Sequence, residues 1–164
     1  MDSSFDRSDK NKDEWLTPRY ITDFFDADLD PCSPMERRPW DTAKNHIGLP
    51  IDGLKCEWGS NFVWCNPPYG KETFKWIKKC AEHRNSIALI FARTETKGFH
   101  SEIWNKADAL FFFEGRLKFH HVDGAQGDSA GAPSVLVAYG ELAKNKLKKF
   151  SEKYKGKFIS LEQK

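Results

Sequence analysis

Apolar residues fall in short runs separated by polar stretches rich in Pro and Gly. NFVWC, ending at Cys65, has the length and branched or aromatic content of a strand. KETFKWIKKCAEH sets Phe74, Ile77 and Cys80 at helical spacing, and SIALIFA is apolar throughout. A continuous apolar strand after a crossover helix is what a parallel sheet covered on both faces requires, so this stretch predicts a β-α-β unit. Upstream, TPRYITDFFD predicts a short helix with Thr17 as N-cap, Pro18 as first helical residue, and Ile21, Phe24 and Phe25 on one face. ADLDPC reads as a brief buried strand stopped by Pro31, and PMERRPWDTAKNHIGLPIDGL reads as irregular. Downstream, GFHSEIWNKA predicts a helix, and ADALFFFEG, RLKFHHV and APSVLVAYG predict strands, some of them antiparallel. The pattern is that of an α/β fold.

At 164 residues, 39% of them hydrophobic and 14% aromatic, the chain suits one domain with a real core. It has no apolar run of about 18 residues and its N-terminus is polar, so a cytoplasmic protein without a membrane span is expected. Cys32, Cys56, Cys65 and Cys80 lack metal-binding spacing and are expected to be free thiols. Charge is uneven: the overall +2 splits into +5 for residues 141–164 and −3 for the rest. Such a basic segment either tracks a phosphate backbone or is a solvated helix. The expected division is a disordered segment at 1–12, one domain at 13–140 and a basic tail or helix at 141–164.

The stretch VWCNPPYG (Val63–Gly70) ends a strand with Asn, two prolines and an aromatic ring. Pro-Pro stops the strand and fixes the path of the chain. In open α/β sheets ligands sit at that end of the strands. A rigid turn there offers the Asn66 side-chain oxygen and the Pro67 carbonyl as acceptors and Tyr69 as a platform, a set suited to an aromatic amine. The same residues also fit a plain strand-terminating turn.

N-P-P-Y is similar to the signature of S-adenosylmethionine-dependent amino methyltransferases. With DEWLTP (Asp13–Pro18), DLDPC (Asp28–Cys32), DGL (Asp52–Leu54), FARTETKGFH (Phe91–His100), GRLKF (Gly115–Phe119) and APSVLV (Ala132–Val137) in the same order, the chain resembles phage-type DNA N6-adenine methyltransferases from about Asp13 to Tyr139. The resemblance implies a truncated Rossmann-like methyltransferase fold, mostly parallel with antiparallel strands near the C-terminus. It also implies a cytoplasmic enzyme of phage or prophage origin, acting in a bacterial host, with DNA as partner and no metal.

In such an enzyme Asn66, Pro67, Pro68 and Tyr69 form the catalytic turn. Asn66 Oδ1 and the Pro67 carbonyl accept the two hydrogens of adenine N6, and Tyr69 stacks on a flipped base. The resemblance assigns Trp15, Thr17, Pro18, Asp30, Pro31, Cys32 and Asp52 to S-adenosylmethionine, and Arg93, Thr94, Arg116 and Lys118 to DNA. The Gly-rich segment Val122–Gly131 reads as a loop entering a groove, and His120 and His121 as hairpin surface residues. The chain departs from the wider methyltransferase pattern: no glycine loop follows Cys32, and only 19 residues separate Cys32 from Asp52. Two other readings stand beside the adenine one: the same turn acting on cytosine N4 or a protein glutamine, and a catalytically weakened DNA-binding relative.

Overall fold

The apolar run at Ser86–Phe91 forms the middle strand of a sheet whose faces are both covered by helices. A computed structural model describes residues 15–34, 38–121 and 125–163; the expectation for residues 1–12 falls outside them, as does the part of the expected loop at 122–124. Helix α1 (Arg19–Phe25) leads to β1 (Leu29–Asp30) and β2 (Asn45–His46), then to a 3₁₀ turn at Gly53–Lys55 and β3 (Val63–Cys65). Helix α2 (Thr73–His83) crosses to β4 (Ser86–Phe91). A short α3 (Lys97–Phe99) runs into a π turn at His100–Trp104, followed by β5 (Ala109–Phe113), β6 (Lys118–His120), β7 (Gln126–Ser129), β8 (Ser134–Tyr139), α4 (Glu141–Lys153) and β9 (Gly156–Ser160).

Among the described residues the main sheet has the order β2-β1-β3-β4-β8-β5-β9, and β6 and β7 pair separately. Strands β2, β1, β3 and β4 are mutually parallel. Strand β8 runs antiparallel between β4 and β5, and β9 runs antiparallel to β5 at the edge. This is the mixed α/β, mostly parallel sheet with late antiparallel strands that the sequence predicts.

Alternate residues of the central strands feed two cores. Ala88, Ile90, Val135 and Val137 face α2 and its Ile77 and Cys80. Ile87, Leu89 and Leu136 face α1 and α4, meeting Phe25, Leu147 and Phe150. The pleat thus sends every second side chain to each face, and both faces are apolar because both are covered.

Three details differ from the sequence reading. The first helix begins at Arg19 with Pro18 as its N-cap and no side-chain cap, because the Thr17 hydroxyl is engaged elsewhere. Within the expected loop Val122–Gly131, Gln126–Ser129 form a strand. Residues 141–160 are built into the same sheet and core: Ala143, Leu147 and Phe150 are fully buried, and β9 pairs along all of β5.

Phe150 packs its ring against Phe24, Phe25, Phe111, Phe113 and Tyr154. Phe150→Ala is therefore expected to cost about 3–5 kcal/mol in a denaturant melt. Deleting residues after Gly140 is expected to give a chain without a cooperative transition, where a dispensable tail would leave the melt unchanged.

Candidate active site

The chain leaves β1 toward β2 on one side, while β3 lies against β1 on the other. Sheet order therefore reverses between β1 and β3, and their carboxyl ends open a crevice there. Asp30, Pro31 and Cys32 leave one strand at that point, and Asn66 to Tyr69 leave the other.

The Asn66 turn is clamped from three sides. Asn66 Nδ2 donates to Thr17 Oγ1 at 3.2 Å, with Thr17 only 2% exposed. The Cys32 thiol donates to the Asn66 carbonyl at 3.4 Å. Thr73, the first residue of α2, donates to the Pro68 carbonyl at 2.7 Å and accepts from the Gly70 amide at 3.0 Å. Two acceptors remain. Asn66 Oδ1 is buried with no hydrogen-bond partner, and no described residue donates to the Pro67 carbonyl. A buried acceptor left unmade costs about 1–3 kcal/mol.

Asp30 is 4% exposed, and its two oxygens accept from the Cys32 amide and the Thr42 hydroxyl. Burial pushes its carboxyl up to about 6, against the downward pull of those hydrogen bonds and of Arg38. A buried carboxylate in this state gains from a cation. Cys32 joins it to the turn, since its amide bonds Asp30 and its thiol bonds Asn66. Pro31 sets the position of the next candidate: a Cβ on Gly53 would lie 2.0 Å from the Pro31 carbonyl oxygen. Only glycine lets the Asp52 turn pack here. Asp52 itself is exposed and caps that turn by accepting from the Leu54 amide at 3.0 Å.

A cleft of about 380 Å³ is lined by Trp15, Tyr69, Phe91, Phe119, His121, Ser129, Ala130 and Gly131. The Tyr69 ring stacks on Phe91, centroids 4.1 Å apart and planes at 5°. One face of the expected platform is therefore already covered. Trp15 lies against His121, ring centroids 4.6 Å apart, and close to Gly127, where a Cβ would sit 2.8 Å from the indole. The β6–β7 hairpin is tied to the strand-like segment before α1 by paired backbone bonds between Leu16 and His120, at 2.8 and 2.9 Å.

The DNA candidates are less concentrated. Arg93 is exposed, with its guanidinium 5.7 Å from the Phe91 ring. The Thr94 carbonyl accepts from the Trp104 indole, Arg116 donates to the Ala130 carbonyl, and Lys118 points outward from β6. No group of His, Cys, Asp and Glu among the described residues is placed to hold a metal ion, and none of their helices is long and apolar enough to cross a membrane.

The family model for DNA N-6-adenine-methyltransferase (Dam) matches residues 5–160. The chain belongs to the Dam family. It is thus a DNA adenine methyltransferase, and the amine that family acts on is of the kind two fixed acceptors suit. No curated protein and no solved structure is significantly similar to it.

Seen as a Dam enzyme, the chain has cleft residues to which the sequence reading gives no site role, Phe91, Phe119 and His121, beside Ser129, Ala130 and Gly131 of the segment expected to enter a groove. His121 had been placed on the hairpin surface, and the structure puts it in the cleft wall beside Trp15. Phe91 carries a signal as the first residue of the FARTETKGFH patch, and Phe119 as the last of GRLKF.

Asp30 gives a pH test. Its folded value lies above the unfolded 3.8, so the cost of ionising it in the fold is fully present above about pH 6 and vanishes below the unfolded value. Relative to the parent, Asp30→Asn is expected to be more stable by about 2–3 kcal/mol near neutral pH, with the gain gone below about pH 4. Chemical denaturation across that range checks it, and a gain independent of pH would mean burial of Asp30 carries no such penalty.

Proposed function

We propose that this chain transfers a methyl group from S-adenosylmethionine to N6 of an adenine flipped out of DNA, in the crevice between β1 and β3. The observation that carries the reading is Asn66 Oδ1, buried and without a donor beside an equally unpaired Pro67 carbonyl. The lone pair of an adenine amine is delocalised into its ring. Two acceptors that take its hydrogens favour a tetrahedral nitrogen and direct its lone pair to one side. Because Thr17, Cys32 and Thr73 hold the turn before substrate arrives, little reorganisation is left for the reacting complex.

S-adenosylmethionine supplies an already activated methyl on a sulfonium. The residues available to hold it fit. Asp30 offers a buried carboxylate for the ammonium end, next to Pro31 and Cys32. Asp52, on the turn packed against Pro31, offers an acceptor for the purine amine, and Trp15, Thr17 and Pro18 are assigned to the cofactor with it, Thr17 being bonded to Asn66. Arg93, Thr94, Arg116 and Lys118 are assigned to the DNA. Phosphate contacts fix its register, and a base brought out of the stack costs a few kcal/mol, offset in part by about 1–3 kcal/mol of stacking on Tyr69.

The test is nucleoside mass spectrometry of DNA from cells without adenine methylation of their own, expressing the chain or Asn66→Ala. N6-methyladenine from the native chain alone is expected, and its appearance at equal level with Asn66→Ala would remove the turn from the chemistry. Thr17→Val, which keeps the shape and deletes the hydroxyl, is expected to lower kcat by about 10–100-fold. Thr17→Ser is expected to recover most of it; an active Thr17→Val beside an impaired Thr17→Ser would mean that the methyl group, and not the hydroxyl, is what matters.

A further inference from the structure

Phe91 is one of the residues that no assignment above uses. Its ring lies 4.1 Å from that of Tyr69 at 5°, whereas Phe24, Phe111 and Phe113 meet Phe150 edge-on at 82°, 87° and 81°. A near-parallel pair lays one Tyr69 face directly on the Phe91 ring, and the backbone that carries Phe91 decides where that ring sits. That backbone is firm. Phe91 ends β4 in register with Ser134 of β8, and the next amide, of Ala92, donates to the Pro133 carbonyl at 2.8 Å. Tyr69, in contrast, sits on the turn and is 37% exposed. With one face covered by Phe91, the opposite face of the ring is the one left open to a stacking partner.

We infer that Phe91 is a positioning residue for target-base capture: it backs the Tyr69 ring so that the opposite face is held flat as the stacking surface for the flipped base. This inference rests on the reading of the Asn66–Tyr69 turn given above. Phe91 is carried by the sheet and already fills one face of Tyr69, so the outer face of Tyr69 is the one left to the base. Arg93 extends the same column. Its guanidinium lies 5.7 Å from the Phe91 ring, and its amide donates to the Phe91 carbonyl at 2.9 Å. The order Arg93, Phe91, Tyr69 and base places a cation and two rings behind the platform, where cation–π and stacking contacts reinforce its orientation. An unbacked Tyr69 would sample several rotamers and lose part of its stacking on each encounter.

The experiment compares Phe91→Leu, Phe91→Met, Phe91→Tyr and Asn66→Ala with the parent. Readouts are kcat and KM on DNA lacking N6-methyladenine, calorimetric binding of S-adenosylmethionine, and thermal melts to establish folding. The non-aromatic variants are expected to raise KM for DNA about tenfold with cofactor binding unchanged. Phe91→Tyr is expected to stay within about twofold of the parent, because the ring is what backs Tyr69. Parent-like KM in Phe91→Leu or Phe91→Met would overturn the inference, as would a lower KM, which would mean that Phe91 competes with the base. Equal defects in all three Phe91 variants would also overturn it, by showing a packing role without need of an aromatic ring. An inactive Asn66→Ala beside a parent-like Phe91→Leu would remove this inference alone. An active Asn66→Ala would remove the reading of the turn and this inference with it.

Discussion

The bond from Asn66 Nδ2 to Thr17 Oγ1 decides which end of the Asn66 amide faces the crevice. An amide has one donor end and one acceptor end, and engaging the donor with Thr17 leaves Oδ1 without a partner. Nothing nearby satisfies that oxygen. The architecture around it explains how such a vacancy is held. Pro67 and Pro68 restrict the backbone that follows, Thr73 seizes the far end of the turn, and Cys32 reaches across from β1 to the Asn66 carbonyl. A buried unsatisfied acceptor opposes folding, so each of these contacts counts as part of what the site costs the protein to keep.

The same logic runs through Asp30. Burying a carboxylate at the end of β1 raises its pKa, and the Thr42 hydroxyl and Cys32 amide offset only part of that penalty. An orphan acceptor and a partly compensated carboxylate are thus joined through Cys32. A neutral donor would satisfy the first and a cation the second, which is the physical ground on which the proposed amine and cationic methyl donor are set side by side.

How much of this was legible in the sequence depends on what each residue reports. The central strands announced themselves because burial on both faces demands unbroken apolar runs, as in Ser86–Phe91 and Ser134–Tyr139. The turn was legible because Asn-Pro-Pro-Tyr is stereochemically restrictive. Strand β2 was not, since Asn45–His46 is two polar residues held by backbone bonds to β1. Strands β7 and β9 were hidden for the same reason: QGDS pairs only with a hairpin partner, and GKFIS is a half-exposed edge carrying Lys157. Thr17 read as a helix cap, because its actual partner lies 49 residues away and only the fold brings it there. Tyr69 read as a bare platform for a similar reason: the ring behind it comes from the next strand of the sheet.

A link between the cleft wall and the chemistry follows from the contacts of Leu16. Its amide and carbonyl pair with His120 on the β6–β7 hairpin, and the next residue, Thr17, accepts from Asn66. Phe119 and His121, on either side of His120, line the cleft. A hairpin displaced by anything entering the cleft would therefore pull on Leu16, and the hydroxyl that orients the amide would move with it. The cleft wall and the Asn66 turn thus share one short stretch of backbone, so the position of the β6–β7 hairpin and the orientation of Asn66 are tied together by two hydrogen bonds of the ordinary sheet type.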